Sequence, residues 1–176
     1  MQLPDYEITK LAHAGMINGF NPEHLNSFGY DITLASKFAI PRLGIIGDSP
    51  IDPMKFNIDS ITEREYKHFC LIAPGSYILG YSLEYFKIPD NILGICLGRS
   101  SYARCGINVN ITPLEPGWEG NITIEISSNN CFPVKVYTNK GIAQIIFFKG
   151  DIPSRNYIAK GGRYQGQTGI TLPKGV

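Results

Sequence analysis

The sequence predicts a mainly β protein with one N-terminal helix. Three observations support this fold class. The chain is interrupted by 19 glycines and 12 prolines, short β-branched and aromatic runs lie between them, and clear helical spacing occurs once. Many short strands at close spacing are typical of a barrel or a roll of two sheets. With 176 residues and 43% hydrophobic residues, we expect residues 1–176 to form a single domain with a sizeable core.

The helix is predicted over residues 5–14. Ile8, Leu11 and Ala12 fall on one face at helical spacing, so that face can pack on the core. Gly15 follows as a stop signal, because glycine is the residue that most readily ends a helix.

The rest of the chain is predicted to be β-structure with long connections. The expected strands cover residues 29–34, 67–72, 76–85, 92–97, 107–111, 121–127, 134–138 and 142–148. Residues 41–66 are interpreted as a long excursion with a helical turn near 53–56. The last segment, 158–176, is rich in glycine, glutamine and lysine, and it is either a frayed, flexible tail or a lid that becomes ordered.

Composition excludes several classes of protein. The net charge of +1 argues against a broad nucleic-acid-binding face, which requires a strongly basic surface. No apolar stretch is long enough for a membrane span, and the N-terminus lacks the pattern of a secretory signal. Four cysteines are scattered without a CxxC pair, which predicts free thiols in a cytoplasmic protein. The three histidines are not at metal-ligand spacing, so no protein metal site is expected.

The densest cluster of potential anion ligands follows the strand predicted at 92–97. Arg99 and Arg104 flank Ser100 and Ser101, and the guanidinium fork matches the oxygens of a phosphate. Gly98 lets a ligand approach the backbone closely. The same residues are also compatible with an ordinary pair of solvated surface arginines.

Three further residues have two possible interpretations each. In the strand at 121–127, isoleucines occupy one face and Glu125 the other, so Glu125 faces either solvent or a cleft where it transfers protons. Gln144 interrupts an apolar run and makes either a cross-strand contact or a ligand contact. Trp118, in the turn at 113–120, is either core or the wall of a pocket.

Several separated motifs together resemble the metal-independent dCTP deaminases of the dUTPase superfamily. They are Ser27–Asp31, Gly98–Gly106, Thr112–Gly120, Thr123–Glu125 and Gly161–Gln167, in this order along the chain. The resemblance extends from the N-terminal helix to the C-terminus. It implies a dUTPase-like β-barrel or jelly roll, assembled as a homotrimer whose nucleotide sites lie between subunits.

The resemblance also implies the reaction and its cofactor. The reaction is dCTP plus water giving dUTP and ammonia, which supplies dUTP for the synthesis of dUMP and dTTP. Magnesium accompanies the triphosphate. The signature H-x-E…P-C-x-x-C of zinc-dependent nucleobase deaminases does not occur in the chain, so no catalytic zinc is expected.

Site residues follow from the motifs by position. Glu125 matches the catalytic glutamate, which exchanges protons with water and N3 of cytosine, assisted by Ser100 and Arg104. The substrate-binding residues implied are Arg99, Ser100, Ser101, Tyr102, Ala103, Arg104, Thr123, Ile124, Glu125, Gln144, Tyr157, Arg163 and Gln167. We further expect backbone carbonyls near residues 111–113 to hold the cytosine amino group.

Two departures and two alternative functions accompany this assignment. Arg163 stands where a lysine is common, and the turn at 113–116 lacks an arginine that some members carry. A bifunctional enzyme that also hydrolyses dUTP to dUMP and pyrophosphate is one alternative, although residues 105–130 contain no aspartate to serve as its base. A non-catalytic nucleotide-binding module on the same fold is the other.

Overall fold

The computed structural model describes residues 1–42 and 50–175, and within these ranges the chain is mainly β. The helices are α1 (Asp5–Leu11) and α2 (Ser100–Ala103). The strands are β1 (Ile17–Asn18), β2 (Leu25–Asn26), β3 (Gly29–Thr33), β4 (Lys37–Pro41), β5 (Ile61–Glu65), β6 (Phe69–Ile72), β7 (Tyr77–Lys87), β8 (Ile92–Gly98), β9 (Ile107–Asn110), β10 (Glu119–Ser128), β11 (Val134–Tyr137) and β12 (Gly141–Lys149).

These strands form three antiparallel sheets. The largest has the order β5-β4-β7-β10-β9, and β1 also pairs with β7. The second has the order β2-β3-β12-β8, and the third consists of β11 and β6. The predicted mainly β fold with a short N-terminal helix is confirmed, and each of the eight predicted strands overlaps an observed one.

Strand β10 shows how the sequence pattern places the core. Ile122, Ile124 and Ile126 are at most 2% exposed and pack in the main hydrophobic cluster. Because successive side chains of a strand point to opposite faces, Thr123 and Glu125 project from the other face. The predicted separation of this strand into an apolar and a polar face is therefore present.

The N-terminal helix is shorter than predicted. It ends at Leu11, and Ala12–Met16 form a wider, π-helical turn. Gly15 in this turn has φ 99°, which L-amino acids with a side chain rarely adopt, so the chain leaves the helical path there. The stop signal was correctly placed, but the α-helical part ends before it.

The interpretation of residues 41–66 as an excursion was wrong for residues 61–65. Strand β5 lies in this range and pairs with β4, a strand that the sequence did not predict. Most of β5 is exposed, and Lys37 and Glu63 form an ion pair across the two strands. An edge strand that carries charges lacks the apolar alternation by which strands are recognised, which explains the miss.

The helical turn expected near 53–56 lies elsewhere. A single 3-10 turn covers Ile58–Ser60, and the side chain of Asn57 caps it by accepting a hydrogen bond from the backbone N–H of Asp59 at 2.9 Å. Asparagine favours such local caps. Near 53–56 the chain forms a single turn instead of a helix, in which the backbone N–H of Lys55 donates to the carbonyl of Asp52 at 3.2 Å. Residues 43–49 of the predicted excursion lie outside the described residues.

A buried carboxylate joins β3 to β7. Glu84 is 2% exposed, and its oxygens accept hydrogen bonds from the hydroxyl of Thr33 at 2.6 Å and from its backbone N–H at 3.0 Å. The hydroxyl of Tyr30 donates to the same carboxylate at 3.2 Å. Burial raises the pKa of Tyr30, which keeps this hydroxyl protonated as a donor. Glu84 thereby links the second sheet to the largest one.

Candidate functional site

A pocket of about 400 Å³ opens beside the polar face of β10. Strands β7 and β10 form its floor, the loop after β9 forms one side, and the C-terminal segment covers it. The lining residues are Phe56, Tyr77, Leu79, Ile111, Thr112, Pro113, Leu114, Trp118, Ile122, Thr123, Glu125, Tyr157, Tyr164, Gln167, Thr171 and Pro173. The size suits a small organic ligand.

Glu125 is the one carboxylate among these lining residues. It lies between Leu79 of β7 and Asn110 of β9 in the strand register, so a rigid sheet holds its backbone on both sides. Its Oε2 atom is buried and has no hydrogen-bond partner among the described residues. Of the two interpretations of Glu125, the structure supports the cleft.

The surroundings of Glu125 favour its protonated form. Burial raises the pKa of its carboxyl, and a hydrogen bond from its own backbone offsets this only in part. The described lining residues include no lysine or arginine, so none of them places a positive charge beside this carboxyl. A raised pKa brings the carboxyl closer to the pH at which it can both accept and return a proton.

The loop after β9 forms one side of the pocket. Ile111, Thr112 and Pro113 line the pocket, and the backbone of Leu114 exchanges two hydrogen bonds with Gly94, at 2.9 and 3.0 Å. Glu115 points away and pairs with Lys160 at 2.8 Å. Where some family members carry an arginine in this turn, this chain therefore contributes the apolar Pro113 and Leu114 to the pocket lining.

The C-terminal segment is ordered over the pocket. The backbone N–H of Asn121 donates to the carbonyl of Gln167, and the Gln167 side chain donates back to the Asn121 carbonyl at 2.7 Å. The backbone N–H of Thr171 donates to the hydroxyl of Thr123 at 3.0 Å. Ile170 and Leu172 pack on a small apolar cluster beside the pocket. The sequence left open whether this segment is a frayed tail or an ordered lid, and in this structure it is packed as a lid.

Trp118 fills both roles that the sequence left open. It is 5% exposed and belongs to the main core cluster, but it also forms part of the pocket wall. Its indole N–H donates to the carbonyl of Tyr164 at 3.0 Å, which ties the wall to the lid. Tyr157 lies beside it in the lining, and its hydroxyl accepts from the backbone N–H of Tyr164 at 3.1 Å.

The structure brings together four of the predicted site residues: Thr123, Glu125, Tyr157 and Gln167 line the same pocket. Ile124 is fully buried in the core, and its side chain lies on the face of β10 opposite Thr123 and Glu125. Arg163 is exposed and donates to the carbonyl of Gly175 at 2.6 Å, outside the pocket lining.

The remaining predicted residues lie elsewhere on the chain. Ser100–Ala103 form the short helix α2, flanked by Arg99 and Arg104, and none of these six residues lines the pocket. Tyr102 is partly buried, whereas the other five are exposed. Gln144 lies in β12 opposite Asp31 and Leu97, with its side chain against Gly29. In one chain, the basic segment and the carboxyl pocket are therefore separate.

Several pocket residues were missed by sequence reasoning. Tyr77 comes from β7, Phe56 from the segment before β5, and Tyr164 from the lid. Tyr164 lies within the motif Gly161–Gln167, but Tyr77 and Phe56 belong to no recognisable chemical pattern and lie tens of residues from Glu125 in the sequence. Only the fold brings them together, although aromatic residues beside a suspected lid are a weak signal for a pocket wall.

Two observations bear on metals and membranes. Among residues 1–42 and 50–175, no three His, Cys, Asp or Glu side chains gather as they would around a metal ion. Over the same ranges, no helix combines the length and apolar character that a membrane crossing requires.

Comparisons with known proteins agree with this architecture. The sequence profile of the family described as dCTP deaminase-like matches residues 2–150. A protein of Herpetosiphon aurantiacus named dCTP deaminase is 48% identical over 151 residues, which cover 85% of this chain and 80% of that protein. One of Helicobacter hepaticus with the same name is 46% identical over 182 residues, covering 97% of this chain and 96% of that protein.

One solved structure supports the fold. The crystal structure of 2'-deoxycytidine 5'-triphosphate deaminase from Agrobacterium tumefaciens superposes with a TM-score of 0.69 at 18% identity and covers 85% of this chain. The match covers 48% of the Agrobacterium protein, so this chain spans about half its length.

Proposed function

This chain belongs to the dCTP deaminase-like family, and we propose that it hydrolyses dCTP to dUTP and ammonia. Its relatives named dCTP deaminase match over 85% to 97% of the chain. The observation that carries the proposal is the Glu125 carboxyl, which lies in a pocket of suitable size with one oxygen unpartnered. A proton-transfer group needs this combination of rigid placement and free hydrogen-bonding capacity.

Glu125 transfers the protons in the proposed reaction. Its carboxylate takes a proton from water while the oxygen of that water bonds to C4 of cytosine, and the carboxyl then gives the proton to N3. The tetrahedral intermediate carries one hydroxyl and one amino group on C4. Glu125 moves the hydroxyl proton to the amino group, the C4–N bond breaks, and ammonia leaves. The raised pKa of Glu125 brings it closer to the working pH for both transfers.

The other proposed site residues bind and orient the nucleotide. Ser100 positions the attacking water, and Arg104 offsets the charge that develops in the transition state. Triphosphate oxygens are bound by Arg99, Ser101 and the backbone of α2, including Tyr102 and Ala103, since arginine forks and short donors match phosphate geometry. The base and sugar contact Thr123, the backbone of Ile124, Gln144, Tyr157 and Gln167, and Arg163 reaches the phosphates from the lid.

A second copy of the chain completes the site in this proposal. The pocket that holds Glu125 contains no described positive charge, and the arginines that bind phosphate lie outside it. Binding a triphosphate beside the pocket therefore requires cations from another source. We propose a homotrimer in which the Arg99–Arg104 segment of one subunit faces the pocket of its neighbour.

Magnesium is proposed to bind with the triphosphate rather than in a protein cage. The described residues gather no cluster of metal ligands, and Mg²⁺ commonly keeps its waters and binds phosphate oxygens instead. When bound, the ion neutralises part of the phosphate charge. The proton transfers are assigned to Glu125 alone, without zinc.

We further propose that residues 1–176 act as one domain in the cytoplasm and release dUTP as the product for dUMP and dTTP synthesis. Neither nucleic acid nor a membrane is a partner in this proposal.

The first test is turnover of dCTP by chelator-treated protein with magnesium added. We expect ammonia and dUTP in equal amounts, measured by ammonia release and by chromatographic separation of the nucleotides. Absence of ammonia would show that the proposed deamination is wrong. Ammonia together with dUMP and pyrophosphate would identify a bifunctional enzyme instead.

The second test addresses sharing of the site between subunits. Glu125→Gln and Arg104→Ala each inactivate their own chain, but random subunit exchange between them restores complete sites if Glu125 and Arg104 come from different subunits. Activity should recover to about one quarter of wild type, the statistical share of sites with both groups intact in a cyclic assembly. Exchange between Glu125→Gln and Gln167→Ala is the control, because both residues line one pocket. No recovery in the first mixture would place both groups on one chain.

A further inference from the structure

The Arg99 guanidinium is held in place before any ligand binds. Its Nη1 lies 3.1 Å from Oδ2 of Asp31, and the backbone N–H of Arg99 donates to the carbonyl of Ile142 at 3.2 Å. From these contacts we propose that Asp31 is a positioning residue, which orients Arg99 for the triphosphate of the substrate. The inference rests on the proposed function, since that proposal makes Arg99 a phosphate ligand.

Asp31 is itself fixed more firmly than the arginine it holds. It lies in β3, paired with Gln144 of β12, and its side chain is 15% exposed, compared with 44% for Arg99. Its second oxygen, Oδ1, accepts a hydrogen bond from the side chain of Asn26 at 2.9 Å. Both oxygens are therefore engaged, and the carboxylate has one defined orientation in which it faces the guanidinium.

Gly141 provides the space that this arrangement requires. A Cβ atom built at Gly141 would lie 2.5 Å from Nη1 of Arg99, whereas its other near neighbours, Cβ of Asp31 and Cδ of Arg99, are at 3.4 and 3.5 Å. The backbone of Gly141 does not have a left-handed φ, so its conformation does not demand glycine. Glycine is needed at this position because the guanidinium of Arg99 occupies the space that a side chain would fill.

Arg99 and Arg104, the two arginines that flank α2, differ in whether a carboxylate holds them. Among the ion pairs of the described residues, Asp31–Arg99 is the one that involves this segment, and Arg104 has none. Asp31 contacts one guanidinium nitrogen of Arg99, Nη1, and the rest of the fork stays available to a ligand. Arg99 therefore contributes an oriented fork of donors, whereas Arg104 contributes a charge that no ion pair of the described residues offsets.

This arrangement lowers the cost of ordering a long side chain when the nucleotide binds. An immobilised, rotamer-rich side chain costs binding free energy, and a side chain that is already oriented avoids much of that cost. Because the phosphates lie away from the reacting C4 atom, misplacing Arg99 should weaken substrate binding more than it slows the proton transfers.

Gly141→Ala tests this without changing any charge. The added methyl group displaces Nη1, the far end of a flexible side chain, so the fold should tolerate it. We expect the KM for dCTP to rise about three- to tenfold with kcat within about twofold of wild type, the cost of one lost preorganised contact. Gly150→Ala is the matched control, because a Cβ there meets nothing within 4 Å.

Asp31→Asn is the second variant, and it is combined with Arg99→Lys in a double-mutant cycle. Ionic strength of about 0.5 M screens the extra positive charge that Asp31→Asn creates, so that the effect on orientation remains. If Asp31 acts through Arg99, both Asp31→Asn and Gly141→Ala should raise KM in the wild-type background but by less than about twofold in the Arg99→Lys background. Equal effects in both backgrounds, or an unchanged KM in Gly141→Ala, would overturn the proposal.

A binding measurement separates this inference from the proposed function. Calorimetric binding of inorganic tripolyphosphate with magnesium is measured for wild type and for each member of the cycle. If wild type fails to deaminate dCTP but the variants show the same coupling in tripolyphosphate binding, the positioning role stands and the proposed reaction is wrong. Turnover of dCTP with additive effects in the cycle would leave the reaction standing and overturn the role of Asp31. If wild type fails to deaminate dCTP and the cycle shows no coupling in tripolyphosphate binding, both the proposed reaction and the positioning role of Asp31 are wrong.

Discussion

Two carboxylates on neighbouring strands of the largest sheet differ in how their oxygens are satisfied. Glu84 in β7 is buried where β7 meets β3, and it accepts hydrogen bonds from Tyr30 and Thr33. Glu125 in β10 faces the pocket, and its buried Oε2 has no partner among the described residues. A buried charge that is fully hydrogen-bonded supports the fold, whereas a buried oxygen without a partner costs stability.

The difference indicates which carboxylate is available for chemistry. The hydrogen-bonding capacity of Glu84 is used by the protein, so a substrate has little to gain from it. Glu125 keeps a free oxygen in a pocket, and its burial raises the pKa of the carboxyl. The unpartnered oxygen of Glu125 lowers the stability of the folded state. This cost is compatible with a proton-transfer role, because functional sites commonly retain unsatisfied groups.

The largest expected effect is on turnover by Glu125→Gln. The amide has nearly the same shape but cannot carry a proton between water and N3, so kcat should fall about 10³-fold, within the range for a general acid–base group. KM should stay within about threefold of wild type, because the pocket walls are unchanged. Steady-state kinetics of ammonia release measure both constants.

Glu119→Gln is the control on the same strand, since that carboxylate is partly exposed, lies outside the pocket lining and pairs with Lys87 at 3.7 Å. It should leave kcat nearly unchanged. A Glu125→Gln enzyme that retains a tenth or more of wild-type turnover would remove Glu125 from the mechanism.

The next effect concerns stability, and it should appear at Glu84. Glu84→Gln replaces an acceptor of several hydrogen bonds by an amide whose NH₂ group faces the donors Thr33 and Tyr30. Hydrogen bonds to a charged group contribute about 1.5–3 kcal/mol each, so we expect a loss of about 2–3 kcal/mol in the free energy of unfolding. Urea titration followed by circular dichroism measures it, and dCTP turnover per folded molecule should change little. Unchanged stability would mean that this network does not support the fold.

The smallest effect is the pH dependence of stability at Glu125. Since burial raises its folded pKa above that of the unfolded chain, the native state binds more protons than the unfolded state between the two values. Wild type therefore loses stability as pH rises from the ordinary glutamate range through the raised pKa, and the penalty is complete above it. Glu125→Gln lacks this penalty.

Thermal unfolding of both proteins across pH 4–8 measures the difference. The Tm of Glu125→Gln should exceed that of wild type at pH 7, and the gap should close towards pH 4. A gap that is independent of pH would point to packing rather than to ionisation.

Local patterns in the sequence were sufficient for much of the fold. The alternation in β10 predicted which face of that strand meets the core, because strand geometry sends neighbouring side chains to opposite sides. Gly15 marked the end of the N-terminal helical region, because its φ of 99° suits glycine. Motif order along the chain predicted the family to which it belongs.

Tertiary structure decided what these local signals leave open. Whether the polar face of β10 meets solvent or a cleft depends on the lid, and Gln167 reaches Asn121 from 46 positions along the chain. The edge strand β5 gave no signal, because its side chains are mostly exposed and its pairing with β4 is set by the sheet. The contact between Asp31 and Arg99 likewise joins two motifs that are far apart in the sequence, and neither motif by itself predicts the contact. The alternation of apolar and polar residues along a strand depends only on the surroundings of that strand. A functional site, in contrast, forms only when segments that are distant in the sequence pack together.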